Sequence, residues 1–213
     1  MTILENLCYW LTLLASASAF FASLLGKVFN RAKPFAVAEA LLTAALIVLT
    51  TFGISRWVRS GHPPFVTLFE SMITSIWFVL VIHQIIVRLR RGPGVALLLP
   101  LSAAVFLMMG WSSSLPTEAG PLSSALSNVW LFIHASFATS SAASFLIAAS
   151  YAVVFLLGDK RTANSAGREA LLPQRDSSLK SIQHFLIFGL ILWGVMIASG
   201  SIWAHVAWGR YWA

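Results

Sequence analysis

Apolar residues run along this chain in six long blocks, broken by short stretches that collect most of its Lys, Arg and Pro. A helix needs about 20 apolar residues to cross a hydrocarbon core of about 30 Å, so each block predicts one membrane-spanning helix. The blocks run approximately from Leu7 to Gly26, Phe35 to Ile54, Phe65 to Val87, Gly92 to Trp111, Val129 to Leu157 and Ile182 to Val206. The expected fold is all-α, a polytopic membrane helix bundle of about six transmembrane helices. It forms a single transmembrane domain over residues 1–213 and leaves no room for a separate soluble domain.

The polar interruptions orient the bundle. One set of connections carries Lys27, Arg31 and Lys33, then Arg88, Arg90 and Arg91, then Lys160, Arg161, Arg168, Arg175 and Lys180; the other carries only Arg56, Arg59 and Arg210. Cytoplasmic loops are enriched in Lys and Arg, so the first set is expected inside and both chain termini outside the cytoplasm. The net charge of +7 is thereby assigned to orientation in a lipid bilayer and not to nucleic acid. Composition agrees, with 58% hydrophobic and only 10% charged residues. The small residues from Ser16 to Ala19 resemble a signal-peptide cleavage site, but Glu5 and no cation precede the first apolar block, so that block is expected to be retained. Cys8 is the lone cysteine and no C-x-x-C-H is present, which excludes an internal disulfide and covalent haem attachment to this chain.

With this orientation His62, His134 and His205 fall near the outer surface, and His83 and His184 near the inner ends of the third and sixth blocks. Histidines near helix ends can sit at the polar interface without a ligand, and spacing alone does not bring any of the five together. Glu70, in FESMITSIW, is read about two turns into the third block, where a carboxyl group must pair, protonate or face a polar cavity. SSSLPTEAGPLSSALSN, from Ser112 to Asn128, reads as an outer loop, and DKRTANSAGREALLPQRDSSLK as a solvated inner linker. Small residues are dense from Ala135 to Ser150, which favours close helix packing. No Gly-rich phosphate loop or zinc pattern is present.

The chain's final residues, SIWAHVAWGRYWA, combine Trp203, Trp208, Tyr211 and Trp212 with His205, Gly209 and Arg210. Aromatic rings with one polar handle collect at membrane interfaces, and this accounts for the cluster without a ligand. The same residues also suit a porphyrin, which takes aromatic faces against its macrocycle, an imidazole on iron and a cation for its propionates. Both readings stand on the residues alone.

This tail resembles the start of the tryptophan-rich signature, approximately W-G-x-Y/F-W-x-W-D, of the cytochrome c assembly proteins. That haem-handling membrane family includes the CcsA (ResC), CcmC and CcmF branches. Trp208, Gly209, Tyr211 and Trp212 match the first half of the signature. GHPPFVTLFESMITSIW, from Gly61 to Trp77, and LSNVWLFIHASF, from Leu126 to Phe137, are similar to stretches of the CcsA branch in the same order. The resemblance implies a membrane component of c-type cytochrome biogenesis that binds haem b and presents it at the outer face. There a CcsB/ResB-like membrane partner assists, and thioether bonds form to the C-x-x-C-H thiols of apocytochrome c. It implies His134 as an axial ligand of the haem iron and the aromatic segment 201–213 as the surface beneath the haem. It also implies a component of a cytochrome c synthase (haem lyase) complex more than a self-contained enzyme. The location implied is the bacterial cytoplasmic (inner) membrane in preference to a thylakoid membrane. His62 and Glu70 lie in one of the shared motifs without an assigned role.

Family members continue through Trp-Asp into further helices that carry a second external histidine, whereas this sequence stops at Ala213. The chain is accordingly read as truncated within the signature, as completed by another polypeptide, or as no longer handling haem. One axial position then has no candidate from the family pattern unless His205 or His62 substitutes, and at the position of His205 the CcsA branch usually has a polar residue other than histidine. Two other classes compete with the haem reading. One is a small-solute transporter subunit in which Glu70, His83 and His184 form a polar relay. The other is a structural membrane scaffold whose histidines and tryptophans are merely interfacial.

Overall fold

In a computed structural model, residues 1–89, 95–118, 127–161 and 168–211 are described, and every regular element among them is a helix. The order is α1 (Ile3–Phe29), α2 (Ala32–Ser60), α3 (Leu68–Leu89), α4 (Val95–Ser112), α5 (Val129–Arg161) and α6 (Arg168–Trp208). Five are long and apolar enough to span a membrane; in α4 the described apolar part is the shorter Leu97–Ser112. The all-α polytopic bundle expected from the apolar blocks is the one observed.

Local chemistry sets several helix ends. Thr2 caps α1 through its hydroxyl on the Glu5 N–H, and the Glu5 carboxylate returns to the Thr2 N–H at 3.0 Å, a reciprocal capping box. Gly61 ends α2 at φ +74°, a left-handed conformation that a Cβ disfavours. His62, Pro63 and Pro64 then keep the chain non-helical, so α3 starts only at Leu68. Glu70 therefore occupies the first turn of α3 and not a position two turns in. The expected inner linker is also mostly helical: Asp159 to Arg161 end α5 and Arg168 to Lys180 open α6, leaving only residues 162–167 outside the described residues. Its Arg, Glu, Ala and Leu residues are strong helix formers, and that propensity outweighs the polarity that suggested a linker.

The core lies among α1 to α5, with Leu42, Leu49, Phe52, Phe69, Ile76, Leu101 and Ile147 nearly inaccessible. The Tyr9 hydroxyl ties α1 to the end of α4 by donating to the Met109 carbonyl at 2.6 Å, with Ser112 Oγ at 3.0 Å. Tyr9→Phe is expected to cost about 1 kcal/mol of unfolding free energy in a detergent denaturation series. α5 packs on α3 and α4, and α6 packs on α5 alone among the described helices. Along that last seam Ser141 Oγ donates to the Gly189 carbonyl at 2.9 Å, and a Cβ on Gly189 would stand 2.6 Å from the Phe145 ring. Small residues here let the two backbones approach closely, as the Ala135 to Ser150 composition suggested.

Candidate functional site

The antiparallel helices gather the start of α1, the end of α2, the starts of α3 and α5 and the ends of α4 and α6 at one end of the bundle. Two polar constellations form there. The first is on the α5–α6 hairpin. Asn128 Oδ1 accepts the Trp130 N–H at 2.9 Å as α5 begins, and His134 follows in the second turn. Its Nδ1 lies 2.8 Å from the Met196 carbonyl on α6. A carbonyl only accepts, so Nδ1 is the donor, and in the neutral ring the lone pair is on Nε2. Gly200 permits this approach, because a Cβ there would stand 2.5 Å from His134 Nδ1.

Trp203 lies nearly parallel to the half-buried His134 ring, at 19° and 6.3 Å between centroids. Trp208 meets Trp203 edge-on at 4.8 Å. His134, Gly200, Trp203, Ala204 and Tyr211 line a shallow, mostly apolar groove of about 270 Å³. His205 is exposed and stacks on Tyr211 at 4.3 Å and 5°, but it does not line the groove. α6 stops after Trp208 because Gly209 turns to φ +73°, with its N–H on the His205 carbonyl at 2.8 Å. Arg210 is exposed, and Trp212 lies outside the described residues. Of the residues expected on sequence grounds, the fold thus joins His134, Trp203, Trp208 and Tyr211, and leaves His205 and Arg210 exposed outside the groove lining.

Fixing one imidazole nitrogen by a carbonyl while the other stays bare is the arrangement that orients a metal-binding histidine. Among the described residues no three His, Cys, Asp or Glu side chains converge on a metal. A haem asks less of the protein, since its macrocycle supplies four ligands and the chain one or two. The groove falls just below the roughly 300–1,000 Å³ of enclosing ligand pockets, so it suits one edge of a planar macrocycle and leaves the opposite edge open. The residues fit a haem held from one side.

The second constellation is an ion network at the α1–α2–α3 corner. Arg56, fully buried, donates from Nε to Glu70 Oε1 at 2.7 Å and from Nη2 to the Thr117 carbonyl at 2.8 Å. Its Nη1 lies 3.7 Å from Glu5 Oε2, and its guanidinium carbon sits 5.5 Å above the Phe69 ring centre. Arg59 grips Glu5 with two bonds of 2.8 and 3.1 Å. Glu70 Oε2 also accepts the Val66 and Thr67 N–H groups, which caps α3. His62 is buried beside this corner with Nδ1 on the Pro63 carbonyl at 3.0 Å, and it does not reach the groove. Glu5, Arg56 and Arg59 were not legible as a site. The one available signal was that opposite charges closed the apolar blocks at the same face.

At the other end His83 Nε2 meets Glu39 Oε2 at 2.9 Å, and Gln84 Nε2 donates to Glu39 Oε1 and Thr43 Oγ1. His184 is exposed on α6, which does not pack on α2 or α3. Glu70 and His83 are separated by about 20 Å of α3 at 1.5 Å per residue, and each is bonded to a different partner. A relay through Glu70, His83 and His184 therefore has no continuous path among the described residues.

Residues 65–213 match the family model described as "Cytochrome C assembly protein". The chain is 29% identical to a "Cytochrome c biogenesis protein CcsA" of Prochlorococcus marinus (strain NATL1A), over 83% of this chain and 65% of that protein. It is 27% identical to the protein of that name in Parasynechococcus marenigrum (strain WH8102), over 96% of this chain and 73% of the relative. With the one in Guillardia theta the identity is 28%, over 98% and 75%. The chain thus spans about two thirds to three quarters of the length of these relatives.

Proposed function

Because the chain belongs to the cytochrome c assembly protein family, we propose that it is a membrane component of c-type cytochrome biogenesis that binds haem b and presents it for thioether attachment to apocytochrome c. The observation that carries this reading is His134, whose Nδ1–H is committed to the Met196 carbonyl while Nε2 stays bare beside the parallel Trp203 ring. Bound haem supplies the vinyl groups to which the C-x-x-C-H thiols of the apocytochrome add. The chain's own residues do the positioning: His134 offers the axial lone pair, Trp203 and Tyr211 wall one side, and the exposed Arg210, next in sequence to Tyr211, suits a propionate. A shallow groove leaves an edge open to the incoming thiols, so position and exposure are the contribution of this chain.

The Lys and Arg bias supports an orientation in which this end of the bundle faces away from the cytoplasm, and the membrane proposed is the bacterial cytoplasmic one. His205 or His62 would supply a second axial imidazole only after moving toward the groove. The chain then acts as part of a cytochrome c synthase. The test is haem retention after detergent purification with a CcsB/ResB-like partner. His134→Ala is expected to lower bound haem about tenfold or more and to change its axial-ligand absorbance spectrum. Undiminished haem with an unchanged spectrum would rule this assignment out.

A further inference from the structure

We infer that Arg56 is a positioning residue that latches the connection between α4 and α5, and through it holds the His134-bearing start of α5 in register with α6; the second half rests on the haem-presenting reading above. The guanidinium is fully buried and faces two carboxylates, those of Glu70 at 2.7 Å and Glu5 at 3.7 Å. Those carboxylates already balance its charge. The remaining bond, from Nη2 to the Thr117 carbonyl at 2.8 Å, reaches beyond the end of α4 to a point whose neighbours Pro116 and Glu118 are exposed. The main chain is thus pinned at Thr117, between two exposed neighbours. Downstream, Asn128 starts α5 by accepting the Trp130 N–H, one turn ahead of His134. Counted along the sequence, Thr117 stands 11 residues before Asn128 and Ser112 stands 16, so an anchor at Thr117 shortens the loop closed when the start of α5 docks on α6 and favours that docking by about 1.5- to 2-fold.

The geometry of the side chain matters as much as its charge. A guanidinium fork serves Glu70 and Thr117 at once, whereas an ammonium at the end of a flexible stem is a point charge. Arg56→Lys therefore keeps the ion pair with Glu70 and gives up the latch. A role limited to charge balance would survive this change; a latch would not.

Glu118 provides the readout, because it is exposed and is a cleavage site for a glutamate-specific protease. In the full chain, in detergent, cleavage there is expected to be about tenfold or more slower than in a synthetic peptide covering Ser112 to Asn128. Arg56→Lys should raise the rate about tenfold, with helix content unchanged, while Arg59→Gln stays within about twofold. Cleavage of the unmodified chain as fast as the peptide overturns the latch, and so does a folded Arg56→Lys cut as slowly as the unmodified chain. The unmodified-chain comparison stands even if a variant fails to fold. For the link to His134, Arg56→Lys should reduce haem retention about 1.5- to 2-fold, resolved by haem titration of both proteins side by side. Released cleavage with unchanged haem overturns the coupling alone. If haem is indifferent to His134→Ala while Arg56→Lys frees the segment, the haem reading fails and the latch stands.

Discussion

Glu70→Ala is expected to destabilise the bundle by about 3–5 kcal/mol, because it leaves the Arg56 guanidinium buried without its nearest carboxylate. Glu5, at 3.7 Å, compensates in part, but Glu5 is already engaged by Arg59. The substitution also strips the acceptor from the Val66 and Thr67 N–H groups at the start of α3. Removing both charges is a different matter. Arg56→Leu combined with Glu70→Leu deletes the desolvation cost together with the attraction, so the double variant should be more stable than Glu70→Ala, and near the unmodified chain. A two-residue cycle followed by denaturant titration in detergent would measure this coupling. If the single and double losses simply add, the pair does not act as a unit. Arg59→Gln is the control: its side chain is 35% exposed, and its contribution is screened to about 1 kcal/mol or less.

Gly200→Ala should have the second largest effect, and on the haem site more than on stability. The new methyl would stand 2.5 Å from His134 Nδ1, so the ring must swing away from the Met196 carbonyl or the helices must part. Overpacking of this kind costs about 1–3 kcal/mol. Losing the bond that fixes the imidazole should lower haem retention about tenfold or more, close to the loss on removing His134 itself. Gly189→Ala separates the two consequences. It crowds Phe145 on the same α5–α6 seam, at 2.6 Å, and leaves His134 untouched. It should lower stability by a similar amount with no change in the spectrum of retained haem. Equal spectral effects from both glycines would mean that His134 responds to loosened packing generally and not to its own contact.

These expectations differ in how far the amino-acid order alone could support them. His134 and Trp203 could be placed near one membrane face by counting along apolar blocks, and the shared motifs named the chemistry to look for. Gly200 attracted no notice, because one glycine among small residues shows its purpose only when a histidine is seen against it. Glu70 was recognised as needing a partner, and Arg56 was counted only as a loop cation. The inner linker was misread for a simpler reason: polarity spoke for solvent, and propensity spoke for helix. Propensity prevailed because a helix end projecting beyond the apolar span needs no buried face.

The sequence by itself determined the number of helical blocks, their membrane character, the uneven distribution of Lys and Arg, and the aromatic tail with its family signature. Each depends on local composition against lipid or water, which a linear window captures. Only the tertiary structure decided that Arg56 meets Glu70 and the Thr117 carbonyl, and that Met196 selects the tautomer of His134. It alone placed His83 with Glu39 and away from His184. Such pairings depend on which helices are neighbours and on their axial register. Side-chain volumes along each seam set both, and a single charge or glycine in the sequence carries no periodic trace of its partner.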